Sequence, residues 1–232
     1  QTVVVEGIVT GDFQNGDADT FRELGGFFLM EESIEHDADT ATSEGIFAFE
    51  DGDFLVDVNE GDKVRVLGTV IERFDKTTIQ VTEVRVEEAS SVDPLSLAVR
   101  TTLPDADDRE ALESMLVTIE ESLTFSESFD YEDFGDATLS TDGPIYQFSQ
   151  TNAPDVQGNT DYQAEVADRS IIISGGSTGA RQDFDPITEP DGDLIGGPET
   201  GVRMGQSTTD LTASFDFDFG EYRLRLPEFS AF

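Results

Sequence analysis

Three stretches of the chain alternate apolar and polar residues with a period of two: VVVEGIVTG from Val3, KVRVLGTVIE from Lys63 and TIQVTEVRVEE from Thr78. A helix repeats its apolar face every 3.6 residues, whereas a half-buried strand repeats every second one. Strands are therefore expected at 2–12, 25–31, 45–50, 62–73 and 77–88. Gly- and Asp-rich segments separate them as turns and loops do. The early strands are joined by long acidic loops at 13–24 and 33–44, and the last two by the tight link FDKT. Five short strands with a closing hairpin and no strong amphipathic helix fit a small Greek-key barrel of the oligonucleotide/oligosaccharide-binding (OB) type.

The alternation lapses over 91–114, a connector that contains Pro94 and Pro104. Within and just past it, 108–115 reads as a short helix with Asp107 or Asp108 as N-cap. The second half then repeats the first. A strand at 115–125 takes the place of the first strand, 136–140 and 145–149 supply the next two, and 158–167 is the best helix candidate. A short buried strand follows at 169–176, and a final hairpin is expected from 203–219 and 221–226. The closing hairpins overlay: GDKVRVLGTVIERFDKTTIQV from Gly61 matches GQSTTDLTASFDFDFGEYRLRL from Gly205, with a Phe near each turn. The expected fold is all-β, with two OB-like antiparallel Greek-key barrels in tandem (1–90 and 115–232) and one or two short helices in the second half.

Composition adds a physical setting. The formal net charge is −38, with 51 Asp plus Glu against 13 Lys plus Arg, and the two lysines are Lys63 and Lys76. Apolar residues make up 37 % of the chain, below the roughly 45–50 % of an ordinary domain. Such a balance can mean disorder, but here the apolar residues are patterned. A chain so charged repels itself in dilute buffer, and about 1 M salt shortens the screening length to roughly 3 Å. A protein of brine is expected, the alternative being an acidic or calcium-rich extracellular setting. Cysteine is absent, which excludes disulfides and thiolate metal sites. No segment approaches the roughly 20 apolar residues of a membrane span. The opening into VVVEG and the end at LPEFSAF read as cut points in a longer protein.

Side chains that could carry chemistry are few. His36 lies in an acidic loop without the nucleophile and orienting partner that a general base needs, and reads as a solvated loop residue. Carboxylates two residues apart occur at Asp17 and Asp19, Asp37 and Asp39, and Asp191 and Asp193. Such turns supply oxygen ligands for Ca²⁺, although none completes a twelve-residue calcium loop. No G-x-S-x-G elbow is present, and Gly-rich SGGSTGA (174–180) reads as a flexible turn. OB-type barrels stack bases on aromatics and track phosphates with Lys and Arg. Candidates for nucleic-acid contact are Arg65, Arg73, Phe74, Lys76 and Arg85 on the fourth and fifth strands, and Tyr222, Arg223 and Arg225 on the last. Arg65 and Arg73 share a strand face, as do Arg223 and Arg225. Binding a polyanion to so acidic a protein works against electrostatics, and high salt removes the counterion-release gain.

VVVEGIVTGDF, LGGFFLMEE, DADTATSEGIFAF and GDKVRVLGTVIE, in that order, resemble an OB-like module of large extracellular nucleases of bacteria and haloarchaea. In those proteins the module precedes a catalytic domain of the endonuclease/exonuclease/phosphatase group. MLVTI, LTFSESFDYEDFGDATLS and FGEYRLRLPE resemble the region that follows the module. The resemblance implies a secreted, salt-adapted, non-catalytic accessory region. Its partner would be a covalently linked or cognate metal-dependent nuclease domain, with DNA as a further partner. That family's acidic metal ligands, catalytic His residues and Asn have no counterpart here, so no catalytic role passes to a named residue. A calcium-stiffened surface or adhesion module without a nucleic-acid role is the alternative.

Overall fold

The computed structural model describes residues 1–16, 22–32, 34, 36, 39, 41–52, 54–176 and 203–227. Among these the chain is all-β, with two curled sheets and short helices. The first sheet is a closed barrel of β1 (Thr2–Phe13), β2 (Gly26–Met30), β3 (Gly45–Phe49), β4 (Lys63–Arg73) and β5 (Lys76–Glu88), in the order β1-β2-β3-β5-β4. All pairs are antiparallel except β3–β5. Each of these strands lies within two residues of its expected position.

β1 closes the barrel by serving two partners. Thr2 to Ile8 pair with β4, and Ile8 to Phe13 pair with β2. The bend rests on glycine: a Cβ at Gly7 would lie 2.9 Å from the Met30 carbonyl oxygen, and one at Gly11 2.9 Å from the Phe13 ring. Inside sit Val9, Phe27, Leu29, Ala48, Val64, Val66 and Ile79, all buried.

The second sheet comprises β6 (Val99–Thr101), β7 (Leu116–Ile119), β8 (Leu123–Glu127), β9 (Ala137–Ser140), β10 (Ser170–Ser174), β11 (Ser207–Thr208), β12 (Leu211–Asp218) and β13 (Glu221–Arg225). Their order is β11-β8-β9-β10-β13-β12-β7-β6. The expected strand 115–125 is broken at Glu120–Ser122 into β7 and β8. Taken as one bent strand, they make the central order β8-β9-β10-β13-β12-β7 equivalent to β1-β2-β3-β5-β4-β1. The parallel pair recurs in the same place, as β10–β13. Thus the repeat visible in the closing hairpins extends through both sheets.

Two local expectations are corrected. Residues 145–149 form no strand. Pro144 cannot donate to a ladder, and the Gln147 backbone N–H donates to the Gln150 side chain at 2.9 Å, opening the short helix α2 (Phe148–Thr151). The third strand of the repeat is instead β10. The helix expected at 108–115 is a 3₁₀ segment, Ala106–Leu112, starting after Asp105, which makes no side-chain cap. Its Arg109 is buried and donates to the carbonyls of Ala167 and Asp168. That places a cation on the free carbonyls ending α3 (Val156–Asp168), where helix ends attract positive charge. A single-turn helix, α1 (Tyr131–Phe134), precedes β9. No helix among the described residues is long and apolar enough to cross a membrane.

The sheets are packed into each other. β2 is buried along its whole length. Phe27 and Leu29 face the barrel interior, while Phe28 joins Phe13 and Phe47 in a separate cluster and Met30 joins the core of the second sheet. Ile8 joins that same core. The Leu116 N–H points to the Met30 sulfur at 3.0 Å, and the Ser43 hydroxyl donates to the Glu113 carbonyl at 2.5 Å. In OB barrels generally, the face of strands 2–3 and the adjacent loops are where oligomeric ligands bind. Here that face is covered by the chain's own second half.

Candidate functional site

One open region is the pole where β4–β5 and β12–β13 turn. Each turn has two residues, Phe74-Asp75 and Phe219-Gly220, and all four have positive φ (54°, 63°, 54° and 80°). Two-residue hairpin loops favour this primed geometry, but Asn, Asp and Gly are the residues suited to it. A bulky ring at positive φ carries strain. Neither ring offsets that strain by burial, since Phe74 is 71 % exposed and Phe219 68 %. Both phenylalanines line one cleft of about 450 Å³, together with Leu24, Arg73, Lys76 and Asp218. The Arg73 guanidinium lies 4.0 Å from the Phe49 ring centre and 4.8 Å from that of Phe74.

Buried charge forms the floor of this cleft. The Lys76 ammonium donates to Asp216 at 2.7 Å and stands 4.1 Å from the Phe47 ring centre. Arg225, fully buried, donates to Asp216 and Asp218 at 3.0 Å each, and to the Ser174 hydroxyl and the Gly175 carbonyl at 2.7 Å. Burial works to raise the Asp216 carboxyl, but the attraction of Lys76 and Arg225 outweighs it and holds the group below its usual value. Arg223 donates to Asp136 at 2.9 Å and to the Asp218 carbonyl. The Tyr222 hydroxyl donates to Glu110, and burial followed by this acidic partner pushes its ionisation upward. Beside the network lies Glu113, 5 % exposed, which accepts the Thr77 N–H through one oxygen. Burial raises its carboxyl to about 7.

The sequence-derived cationic candidates thus divide. Arg73 and Phe74 stand together at the open pole. Lys76, Arg223 and Arg225 are buried and paired with carboxylates rather than facing outward; Lys76 joins the barrel to the second sheet through Asp216, while both arginines bind carboxylates of the second half itself. Arg65 and Arg85 oppose each other across β4–β5 and share Glu87, and Arg65 also holds Glu6 at 2.7 Å. Eight residues of strand separate Arg65 from Arg73, roughly 26 Å at strand rise, so they form no common patch. Asp39 accepts the Ala41 N–H at 3.0 Å in a local turn, and His36 Nε2 pairs with the Glu31 carbonyl oxygen. Asp17, Asp19, Asp37, Asp191 and Asp193 lie outside the described residues, among which no cluster of three or more potential metal ligands occurs.

Phe219 was not among the sequence-derived candidates. The overlay of the two hairpins carried the signal, because it sets Phe219 on Phe74. No family model, curated protein or solved structure matches the chain.

Proposed function

We propose that the chain is a non-catalytic accessory region of a secreted, salt-adapted nuclease, which braces the catalytic domain and offers a stacking edge to a single nucleic-acid strand. The observation that carries this is the pair of exposed, strained phenylalanines at equivalent hairpin tips, opening on one cleft beside Arg73. Strain held at an exposed site is expected where a function requires that residue. Bases stack on aromatic side chains irrespective of sequence, each contact worth about 1–3 kcal/mol.

Charge dictates the kind of contact. Among the described residues at this pole, Arg73 is the cation without an ion pair, and Asp75 and Asp218 stand beside it. Duplex DNA presents phosphates outward and stacked bases inward, so a single strand is the better ligand. Binding should depend on stacking and little on counterion release. Fluorescence anisotropy of labelled deoxyoligothymidylate and duplex DNA, across a salt series up to molar KCl, tests this. The expected result is preference for the single strand and a log–log salt slope no steeper than about −1, one phosphate neutralised. Phe74→Ala should weaken binding roughly tenfold. Absence of single-strand binding, or binding indifferent to Phe74→Ala and Arg73→Glu, would overturn the nucleic-acid role.

A further inference from the structure

We propose that the face over β9, β10 and β13 docks a basic polypeptide, seated by an arginine of that partner against Glu221. The repeat between the two sheets shows what such a face takes. On the outside of the barrel, Phe28, Phe47 and Thr78 form one cross-strand row over β2, β3 and β5. Thr78 stands four residues after the turn residue Phe74, as Arg223 stands four after Phe219. The counterpart row is therefore Thr138, Ile172 and Arg223, paired across β9, β10 and β13. The barrel row is buried under the second half of the chain, and Lys76 beside it donates to Asp216 of that covering layer at 2.7 Å. Among the described residues, the counterpart row lines an open cleft of about 620 Å³, where Thr138 and Ile172 are half-buried.

Charge names the partner. The residue in the place of Lys76 is Glu221, each two positions after the Phe of its turn. The sign that meets the covering chain is thus reversed. Glu127 and Asp130 add carboxylates to the cleft, while Asp136 is already bound to Arg223. Acidity is general to this chain; what sets the face apart is that its twin is occupied by a polypeptide layer of opposite charge. A second copy of this chain, offering Asp216 as that layer does, would set like charges together. Phe134, 42 % exposed in the same cleft, selects among cations. A guanidinium is planar and weakly hydrated, so it stacks on a ring while its edge bonds a carboxylate, which a strongly hydrated ammonium does less well. The same contact occurs within the molecule, where Arg73 lies against the rings of Phe49 and Phe74. The face is separate from the single-strand cleft, sharing Phe219 with it but neither Phe74 nor Arg73.

The test is amide NMR of the full chain in molar KCl, titrated separately with acetyl-Gly-Arg-Gly-Arg-Gly-amide, with the same peptide carrying Glu in place of Arg, and with maltotriose. The arginine peptide should give saturable shifts at Thr138, Ile172 and Glu221, and the other two should not. Phe134→Ala should weaken the arginine peptide roughly threefold. Glu221→Lys, which restores the charge found at Lys76, should weaken it roughly fivefold and admit the glutamate peptide instead. Phe74→Ala should leave the arginine peptide unaffected. Absence of shifts with millimolar arginine peptide, or shifts indifferent to Glu221→Lys, would overturn the proposal. So would maltotriose producing those shifts where the arginine peptide does not.

Discussion

The two sheets run the same strand order with different means of bending and different side chains at the turn of the closing hairpin. In the barrel, β1 turns between two partners on Gly7 and Gly11 and remains one strand of twelve residues. Its counterpart, LVTIEESLTFSE from Leu116, has no glycine, and the chain breaks at Glu120–Ser122 instead. Their closing hairpins diverge inward from the same turn. Counting back from the Phe, the cross-strand pair Ile71–Thr78 of the barrel is replaced by Asp216–Arg223 in the second sheet. Both sheets enclose hydrocarbon cores, but the second adds a buried charged layer at its hairpin and reaches across to take Lys76 from the barrel. One topology tolerates both solutions because the second sheet can complete its ionic layer with a residue from the first.

That dependence is the first thing to break. Asp216→Ala would leave Lys76 and Arg225 buried without their shared carboxylate, and stripping one partner from a buried pair typically costs about 3–5 kcal/mol. Denaturant unfolding in molar salt should show that loss, whereas Ile71→Val, across the comparison, should cost about 1 kcal/mol. A loss below 1 kcal/mol for Asp216→Ala would mean that the layer is not structural.

The joint should also respond to pH through Glu113. Its carboxyl titrates near 7 in the folded chain against 4.5 when exposed, so folding favours the protonated form. The associated stability is complete below pH 4.5 and is lost as pH rises through about 7. In all this amounts to roughly 3 kcal/mol at 1.36 kcal/mol per pH unit. Asp216 has the opposite sign: its lowered value contributes stability above about pH 4 that vanishes in stronger acid. Glu113→Gln should therefore flatten the fall in stability between pH 5 and 8 relative to the native chain. Parallel curves for the two proteins would show that burial does not shift Glu113. A smaller effect is expected at the bend. Gly7→Val places a Cβ on the Met30 carbonyl and should cost about 1–3 kcal/mol, while Ser122→Val at the broken, exposed bend should stay within about 0.5 kcal/mol.

The contrast between the sheets also marks what could be read from sequence. The barrel strands were legible because KVRVLGTVIE and its neighbours bury one face each, which imprints period two. The break in 115–125 was not, since Glu120 and Glu121 continue the strand's polarity and only the missing glycine betrays the bend. Residues 145–149 mimic alternation, yet Pro144 and the Gln147–Gln150 contact decide otherwise. At the site, Arg73 and Phe74 were legible as a pair on a hairpin. The burial of Lys76, Arg223 and Arg225 was not, because Lys76 finds its carboxylate in the other half of the chain, Arg223 finds Asp136 ahead of β9 and Arg225 finds Asp216 and Asp218 on the neighbouring strand, and alternation does not say which side of a strand a second sheet will cover.

The mildest change is the most discriminating. If the tip phenylalanines are retained for contact rather than for folding, replacing them should improve the fold. Phe74→Asn and Phe219→Asn put a residue suited to positive φ into each turn and remove an exposed ring, and each should raise stability by about 1 kcal/mol. The two effects should add, because the rings sit on separate hairpins and neither is buried. The same substitutions should weaken single-strand binding. Stability gained while binding is lost identifies residues held against the preference of their own turns. If either substitution destabilises the chain, that ring is packing against the opposite hairpin, and the pole is a seam between the two sheets rather than an opening for a ligand.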